Sequence, residues 1–203
     1  MSDIQLPGNN SCFSRITVYC GSADNIHRDY LDAAFEMGKT LARHQICLVY
    51  GAGKTGLMGA VAHGALSAGG EVIGVIPGSL NTPQLAHVGL THLEVVPDIH
   101  QRKARMSDLA DAFIALPGGF GTFDELFETL TWAQIGLHHK PIGVLNTKNY
   151  FDPLLALIDH ALKEGFIYPE HRRLICQANL PEDLLSSLNL FQPPEGLEHW
   201  VNR

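Results

Sequence analysis

The sequence predicts an α/β fold: a single doubly wound parallel-sheet domain, Rossmann-like, with helices on both faces. Three observations predict it. Short apolar runs alternate along the chain with segments of helical periodicity, the pattern of repeated βα units. The runs are apolar throughout instead of alternating, as strands covered on both faces are. Most of them stop at Gly or Pro, where the chain turns toward the next helix.

Residues 15–20 are β-rich and end at Gly21-Ser22. Residues 29–44 carry Tyr30, Ala33, Ala34, Met37 and Leu41 at helical spacing. Residues 46–50 form an apolar strand stopping at Gly51, and 57–68 a helix rich in small residues. Residues 72–76 are a strand closed by Pro77-Gly78, and 92–96 a strand ending at Pro97-Asp98. A helix over 99–109 leads to a strand over 112–116, closed by Pro117-Gly118-Gly119. A helix over 122–136 precedes the sixth strand, 142–145, and helices are expected over 150–165, 170–177 and 181–190. Residues 1–14 read as a loose polar arm, 15–190 as one catalytic-sized domain, and 191–203, with Pro193-Pro194, as a tail.

The length of 203 residues suits one compact domain, and 45% apolar residues are enough for a core. Lys plus Arg number 14 against 21 Asp plus Glu, a formal net charge of −7. That balance argues against a partner that is a nucleic-acid polymer or a membrane surface, and it permits binding of one small phosphate. No apolar stretch is long enough for a transmembrane helix, and the first residues lack the pattern of a signal peptide. Cys12, Cys20, Cys47 and Cys176 are scattered, with Cys20 and Cys47 inside strands, so buried free thiols and a cytoplasmic location are expected.

In such sheets ligands bind outside the carboxyl ends of the strands. The loop Gly51-Ala52-Gly53-Lys54-Thr55-Gly56 matches G-x-G-x-x-G between a strand and a helix. The dinucleotide reading needs an acidic residue at the end of the next strand, whereas Glu71 stands at its start; Walker A fails because Leu48 replaces its first Gly. What remains is a turn able to face an anion at a helix N-terminus, or simply a tight turn. The loop 117–125, Pro-Gly-Gly-Phe-Gly-Thr-Phe-Asp-Glu, lets backbone approach a ligand closely and opens a helix at Thr122. Its Thr122-x-x-Glu125 is alternatively a capping box. Arg102, Lys103 and Arg105 form the one dense basic cluster, placed by topology on the same sheet edge. The histidines show no metal-ligand spacing, so no metal site is expected.

Arg102-Lys103 with Met106, then Pro117-Gly-Gly-Phe-Gly-Thr-x-x-Glu125, then Thr131-Trp-Ala-Gln134, resemble the LONELY GUY (LOG) family of cytokinin riboside 5′-monophosphate phosphoribohydrolases, often mislabelled lysine decarboxylases. The similarity covers about residues 16–185. The resemblance implies hydrolysis of the N-glycosidic bond of an N6-modified AMP, or of AMP, to free base and ribose 5-phosphate. It implies a cytoplasmic homodimer or assembly of dimers without metal or redox cofactor. Carried over by position, Arg102 and Glu125 are the catalytic pair. Lys103, Gly118, Gly119, Phe120, Gly121, Thr122, Phe123, Asp124 and Thr131 contact the nucleotide, with Gly51 and Gly53 in the early loop. Three positions depart from the family, of which Ile99, where a Met is usual three residues before the motif Arg, is a mild apolar swap. Ala52 stands in a usual Gly-Gly-Gly, tolerable at negative φ, and a substrate-contacting Glu falls on Gln84, which keeps an acceptor oxygen and loses the charge.

Cleaving a glycosidic bond builds positive charge on the ribose, which a carboxylate stabilises while taking a proton from water. Glu125 is the expected carboxylate, ionised under the influence of the helix N-terminus and Arg102. The competing reading is a nucleotide- or cofactor-binding Rossmann protein without hydrolase activity, suggested by residues 51–56.

Overall fold

The computed structural model describes residues 12–197. Their elements run β1 (Arg15–Tyr19), α1 (Arg28–Arg43), β2 (Cys47–Tyr50), α2 (Gly56–Ser67), β3 (Val72–Pro77), β4 (His92–Val96), α3 (Ile99–Leu109), β5 (Ala112–Ala115), α4 (Phe120–Gln134), β6 (Ile142–Leu145), α5 (Asp152–Lys163), α6 (Pro169–Arg172), β7 (Ile175–Ala178) and α7 (Pro181–Asn189). All neighbouring strands are parallel, in the order β4-β3-β2-β1-β5-β6-β7. The chain therefore winds outward in one direction from β1 and in the other from β5, the doubly wound arrangement expected.

Alternate strand residues enter two cores because successive side chains point to opposite faces. Ile16, Val18, Leu48, Tyr50 and Ile114 pack under α1, α2 and α7. Tyr19, Val49, Val75, Phe113 and Ala115 pack under α3, α4 and α5. Thr17 is polar in the buried sheet, and its hydroxyl donates to the Met106 carbonyl at 2.8 Å. All four cysteines are free thiols, with Cys20 and Cys47 buried as expected.

The structure corrects the reading in three places. Residues 170–177 are not one helix: α6 ends at Arg172, and Ile175–Ala178 form a seventh strand paired with β6. The free edge of β6 needs backbone partners, and pairing with this short apolar run outweighs its helical spacing. β4 is not covered on both faces, because it is an edge strand with Leu93 and Val95 exposed. Finally, the described end of the arm and the start of the tail are packed. Ser14 and Arg15 N–H groups donate to Asp111, while Phe191 and Leu197 sit on the second core. Residues 1–11 of the expected arm and 198–203 of the tail lie outside the described residues.

Helices α1 and α2 cross at backbone contact. A Cβ added at Gly38 would stand 2.0 Å from the Val61 carbonyl oxygen, and one at Gly64 would stand 2.0 Å from that of Phe35. Helix propensity alone favours Gly38→Ala by about 0.5–1 kcal/mol, whereas overpacking costs about 1–3 kcal/mol. The steric term should win, so Gly38→Ala should lower unfolding free energy by about 1–3 kcal/mol in urea denaturation. A variant more stable than the parent would contradict this packing.

Candidate active site

The sheet reverses its winding between β1 and β5, so the loops leaving these strands diverge and open a crevice. Backbone contact closes its floor. The Gly21 N–H donates to the Pro117 carbonyl at 3.0 Å, and a Cβ on Gly21 would lie 3.1 Å from the Gly118 Cα. Above this floor is a cavity of about 450 Å³, within the range of small-molecule sites. Residues 20–23 line one side, residues 117–122 with Glu125 the other, and Ile26, Tyr30, Leu57, Met58 and Tyr150 form apolar walls.

Helix α4 opens onto this cavity. It begins at Phe120 with Gly119 as N-cap, two residues earlier than expected, and no side chain caps it. The Thr122–Glu125 capping box is therefore absent. Thr122 instead lies buried within the first turn, where a Cβ on Gly118 would come 2.1 Å from its hydroxyl oxygen. An uncapped first turn leaves backbone N–H donors and the positive end of the helix dipole for a ligand.

Arg102 reaches the cavity from α3 and Glu125 from α4. Only 8% of Arg102 and 7% of Glu125 is exposed, and their Nη2 and Oε1 atoms stand 3.5 Å apart. Arg102 Nε, also buried, has no hydrogen-bond partner. The position of the guanidinium depends on Gly51, where a Cβ would sit 1.7 Å from Nη2. Burial pushes the Glu125 carboxyl up to about 7, outweighing the attraction of Arg102, and Asp124 adds to the rise. The expectation that the helix N-terminus and Arg102 favour an ionised Glu125 is thus corrected: desolvation outweighs the nearby cation. Cys20 also faces the cavity, but burial holds its thiol far above the ordinary range, so it is a neutral wall.

The other basic residues are committed elsewhere. Lys103 pairs with Asp124 at 2.9 Å and Glu128 at 3.0 Å, tying α3 to α4. Arg105 makes a two-pronged contact to Glu94 at 2.6 and 2.9 Å. Of the cluster, only Arg102 lines the cavity.

The glycine turn at residues 51–56 does not face an anion. The Leu57 and Met58 N–H groups of α2 donate to the Gly21 carbonyl, so that helix start is occupied. Gly53 bridges to Ala86, and the Lys54 side chain donates to the Pro83 carbonyl. Ala52 is not at negative φ: it is held at 58°, buried, with its carbonyl accepting from the His87 N–H. Neither Gly51 nor Gly53 lines the cavity. Gln84 is exposed on the loop joining β3 to β4, and Thr131 lies along a separate groove with Leu130 and Ile158. Phe123 packs on the second core, whereas Phe120 is 93% exposed at the cavity mouth. The lining residues not named from the sequence are 20–23, Ile26, Tyr30, Leu57, Met58 and Tyr150. Gly21-Ser22 carried a signal, since it ends the first strand of a fold that binds at strand ends. The two tyrosines read only as helix residues.

A family model described as "Possible lysine decarboxylase" matches residues 58–188. The cytokinin riboside 5′-monophosphate phosphoribohydrolase LOG of Oryza sativa subsp. japonica is 48% identical over 183 residues, spanning 90% of this chain and 76% of the relative. The chain belongs to the LOG family. LOG7 of Arabidopsis thaliana, with the same phosphoribohydrolase name, is 45% identical over 183 residues, 90% of this chain and 84% of its own. A solved molybdenum cofactor binding protein from Rippkaea orientalis shares the fold, with a TM-score of 0.66 and 22% identity over 86% of this chain and 94% of that one. The decarboxylase label finds no footing in this LOG cavity, which has no lysine among its lining residues to form a Schiff base.

A carboxyl raised from 4.5 to about 7 favours the folded state most below pH 4.5. That contribution is lost as pH rises through 7, about 3 kcal/mol in all. Carbon-13 NMR of labelled glutamate should show one carboxyl titrating near 7, absent from Glu125→Gln, with a lower midpoint in Asp124→Asn. A Glu125 midpoint near 4.5 would contradict the burial argument.

Proposed function

We propose that the protein hydrolyses the N-glycosidic bond of a nucleoside 5′-monophosphate, releasing free base and ribose 5-phosphate. The substrate class is an N6-modified AMP such as isopentenyl-AMP, with AMP as its simplest member. The observation that carries this reading is the Glu125–Arg102 pair, buried beside an uncapped helix N-terminus in a cavity of nucleotide scale. The names of the relatives at 45% and 48% identity support it.

In this reading the 5′-phosphate docks on the glycines at residues 118–121 and the first turn of α4, where unpaired N–H donors and the helix dipole favour an anion. Arg102, with a buried unpartnered Nε, supplies a charged donor to the substrate and steadies Glu125. Glu125 lies about 9 Å along the helix from the N-cap, at 1.5 Å per residue, which suits the distance from a phosphate to its ribose. As the bond from the anomeric carbon to the base nitrogen breaks, positive charge grows on the ribose, and the carboxylate stabilises it. Water adds at that carbon, its proton passes to Glu125, and the base leaves with the bonding pair and takes up a proton from solvent, after which Glu125 releases its own to solvent. A carboxyl near 7 is well matched to accepting a proton at neutral pH. The apolar walls formed by Ile26, Tyr30, Leu57 and Met58 suit a purine bearing an apolar substituent.

The setting is inferred on separate grounds. Four free thiols fit a cytoplasmic location, and no helix among the described residues is long and apolar enough to cross a membrane. A homodimer would cover apolar side chains left exposed at Phe127 of α4, at Ile135 and Leu137 just past its end, and at Leu157 of α5.

Assay of base release from AMP, isopentenyl-AMP, pyrimidine monophosphates and the matching nucleosides tests the proposal. Removing the 5′-phosphate should lower kcat/KM by about 10- to 100-fold or more, the loss of one or two charge-assisted hydrogen bonds. Glu125→Gln should lower kcat by about 10²–10⁴-fold. Near-parental turnover in that variant, or bound nucleotide never hydrolysed, would sink the assignment. Gly51→Ala should displace the Arg102 guanidinium and lower kcat by at least about tenfold. Its melting temperature should change little, because the added methyl meets the flexible ends of Arg102 and Met58.

A further inference from the structure

The segment between β6 and α5 places two consecutive residues in the left-handed region, Lys148 at φ 54° and Asn149 at φ 61°. Neither is glycine, so this backbone is held against the steric preference of L-residues, at Lys148 more than at Asn149. Side chains hold it there. The Asn146 side chain accepts from the Phe151 N–H and donates to Asp152, both at 2.7 Å. Lys148 pairs with Asp29 of α1 at 2.8 Å.

The outcome is the placement of Tyr150. Its ring meets Tyr30 edge-on at 5.9 Å and Phe151 at 5.2 Å, and its hydroxyl donates to the Gly118 carbonyl. That acceptor belongs to a peptide flanked by two glycines. Packing demands glycine at 118, where a Cβ would strike Thr122 and the Gly21 nitrogen, whereas a Cβ at 119 would meet nothing. No Cβ therefore restrains the Gly118–Gly119 peptide on either side. A planar trans peptide sets the Gly119 N–H opposite the Gly118 carbonyl, so holding the oxygen aims the donor. A flipped peptide would present an oxygen in place of that donor, at the N-cap of α4.

We propose that Tyr150 is a positioning residue, whose hydroxyl holds the Gly118–Gly119 peptide in the orientation that binds the substrate's phosphate. This rests on reading the cavity as a nucleoside monophosphate site. The role differs from a packing role: the ring alone supports the wall, and the hydroxyl alone orients the peptide.

Calorimetric titration with ribose 5-phosphate, with melting temperatures in parallel, separates the two. Tyr150→Phe keeps the ring and should weaken ribose 5-phosphate binding about tenfold, the worth of one well-placed hydrogen bond. It should raise KM for the nucleotide while leaving kcat within about threefold. Lys148→Ala removes only a half-exposed ion pair and leaves the Asn146 bonds and the Tyr150 hydroxyl in place, so it should keep ribose 5-phosphate affinity within about twofold even if it melts earlier. Parental affinity in Tyr150→Phe, equal weakening in Lys148→Ala, or a parent protein that does not bind ribose 5-phosphate would each overturn the proposal. A parent that binds ribose 5-phosphate yet releases no base would defeat the hydrolase reading, and the titration would still decide the role of Tyr150.

Discussion

The structure turns on a carboxylate and a guanidinium buried together at the carboxyl ends of the two central strands. Desolvating both charges is costly, and the cost is recovered only with close contact and full hydrogen bonding. Glu125 and Arg102 have neither. Their nearest atoms are 3.5 Å apart, and Arg102 Nε is unpartnered. The contrast with Arg105 and Glu94, joined by two bonds at 2.6 and 2.9 Å, shows that this fold can build a satisfied pair where only stability is at stake. An under-satisfied buried pair is a poor structural device and a good binding one. In the proposed function an anion completes the coordination of Arg102, and a proton relieves Glu125.

Other features follow from keeping that pair in place. Gly51 is bare because the guanidinium occupies the space of its side chain. Gly21 and Gly118 are bare because β1 and β5 must end in backbone contact for the two halves of the sheet to share a floor. The turn at residues 51–56 is spoken for by these tasks. It resembles a nucleotide loop in sequence, yet its helix start is satisfied by the Gly21 carbonyl, and its left-handed Ala52 is tied to the loop carrying Gln84.

The fold was legible because its signals are local and repeated: apolar runs, helical spacing and breakers at strand ends agree from residue 15 to 145. It failed at residues 170–177, where the same apolar spacing serves helix or strand and only the open edge of β6 decides. In the site, the loop at 117–125 and Arg102 could be found from composition and topology. The start of α4 at Phe120 could not, because Thr122 and Glu125 have the spacing of a cap that the structure does not build. Nor could the state of Glu125, since whether burial or a cation prevails depends on depth and distance. The positions of Gln84 and Thr131 outside the cavity likewise depend on loop paths that no local pattern records.

The most direct test of the central claim is a crystal structure of Glu125→Gln soaked with isopentenyl-AMP. The expected result is a nucleotide in the cavity between β1 and β5, its phosphate on the N–H groups at the start of α4. Its anomeric carbon should lie near the residue-125 side chain, with room for one water at attack distance, about 3–3.5 Å. A nucleotide seated instead on the turn at residues 51–56, with its ribose remote from residue 125, would contradict the account.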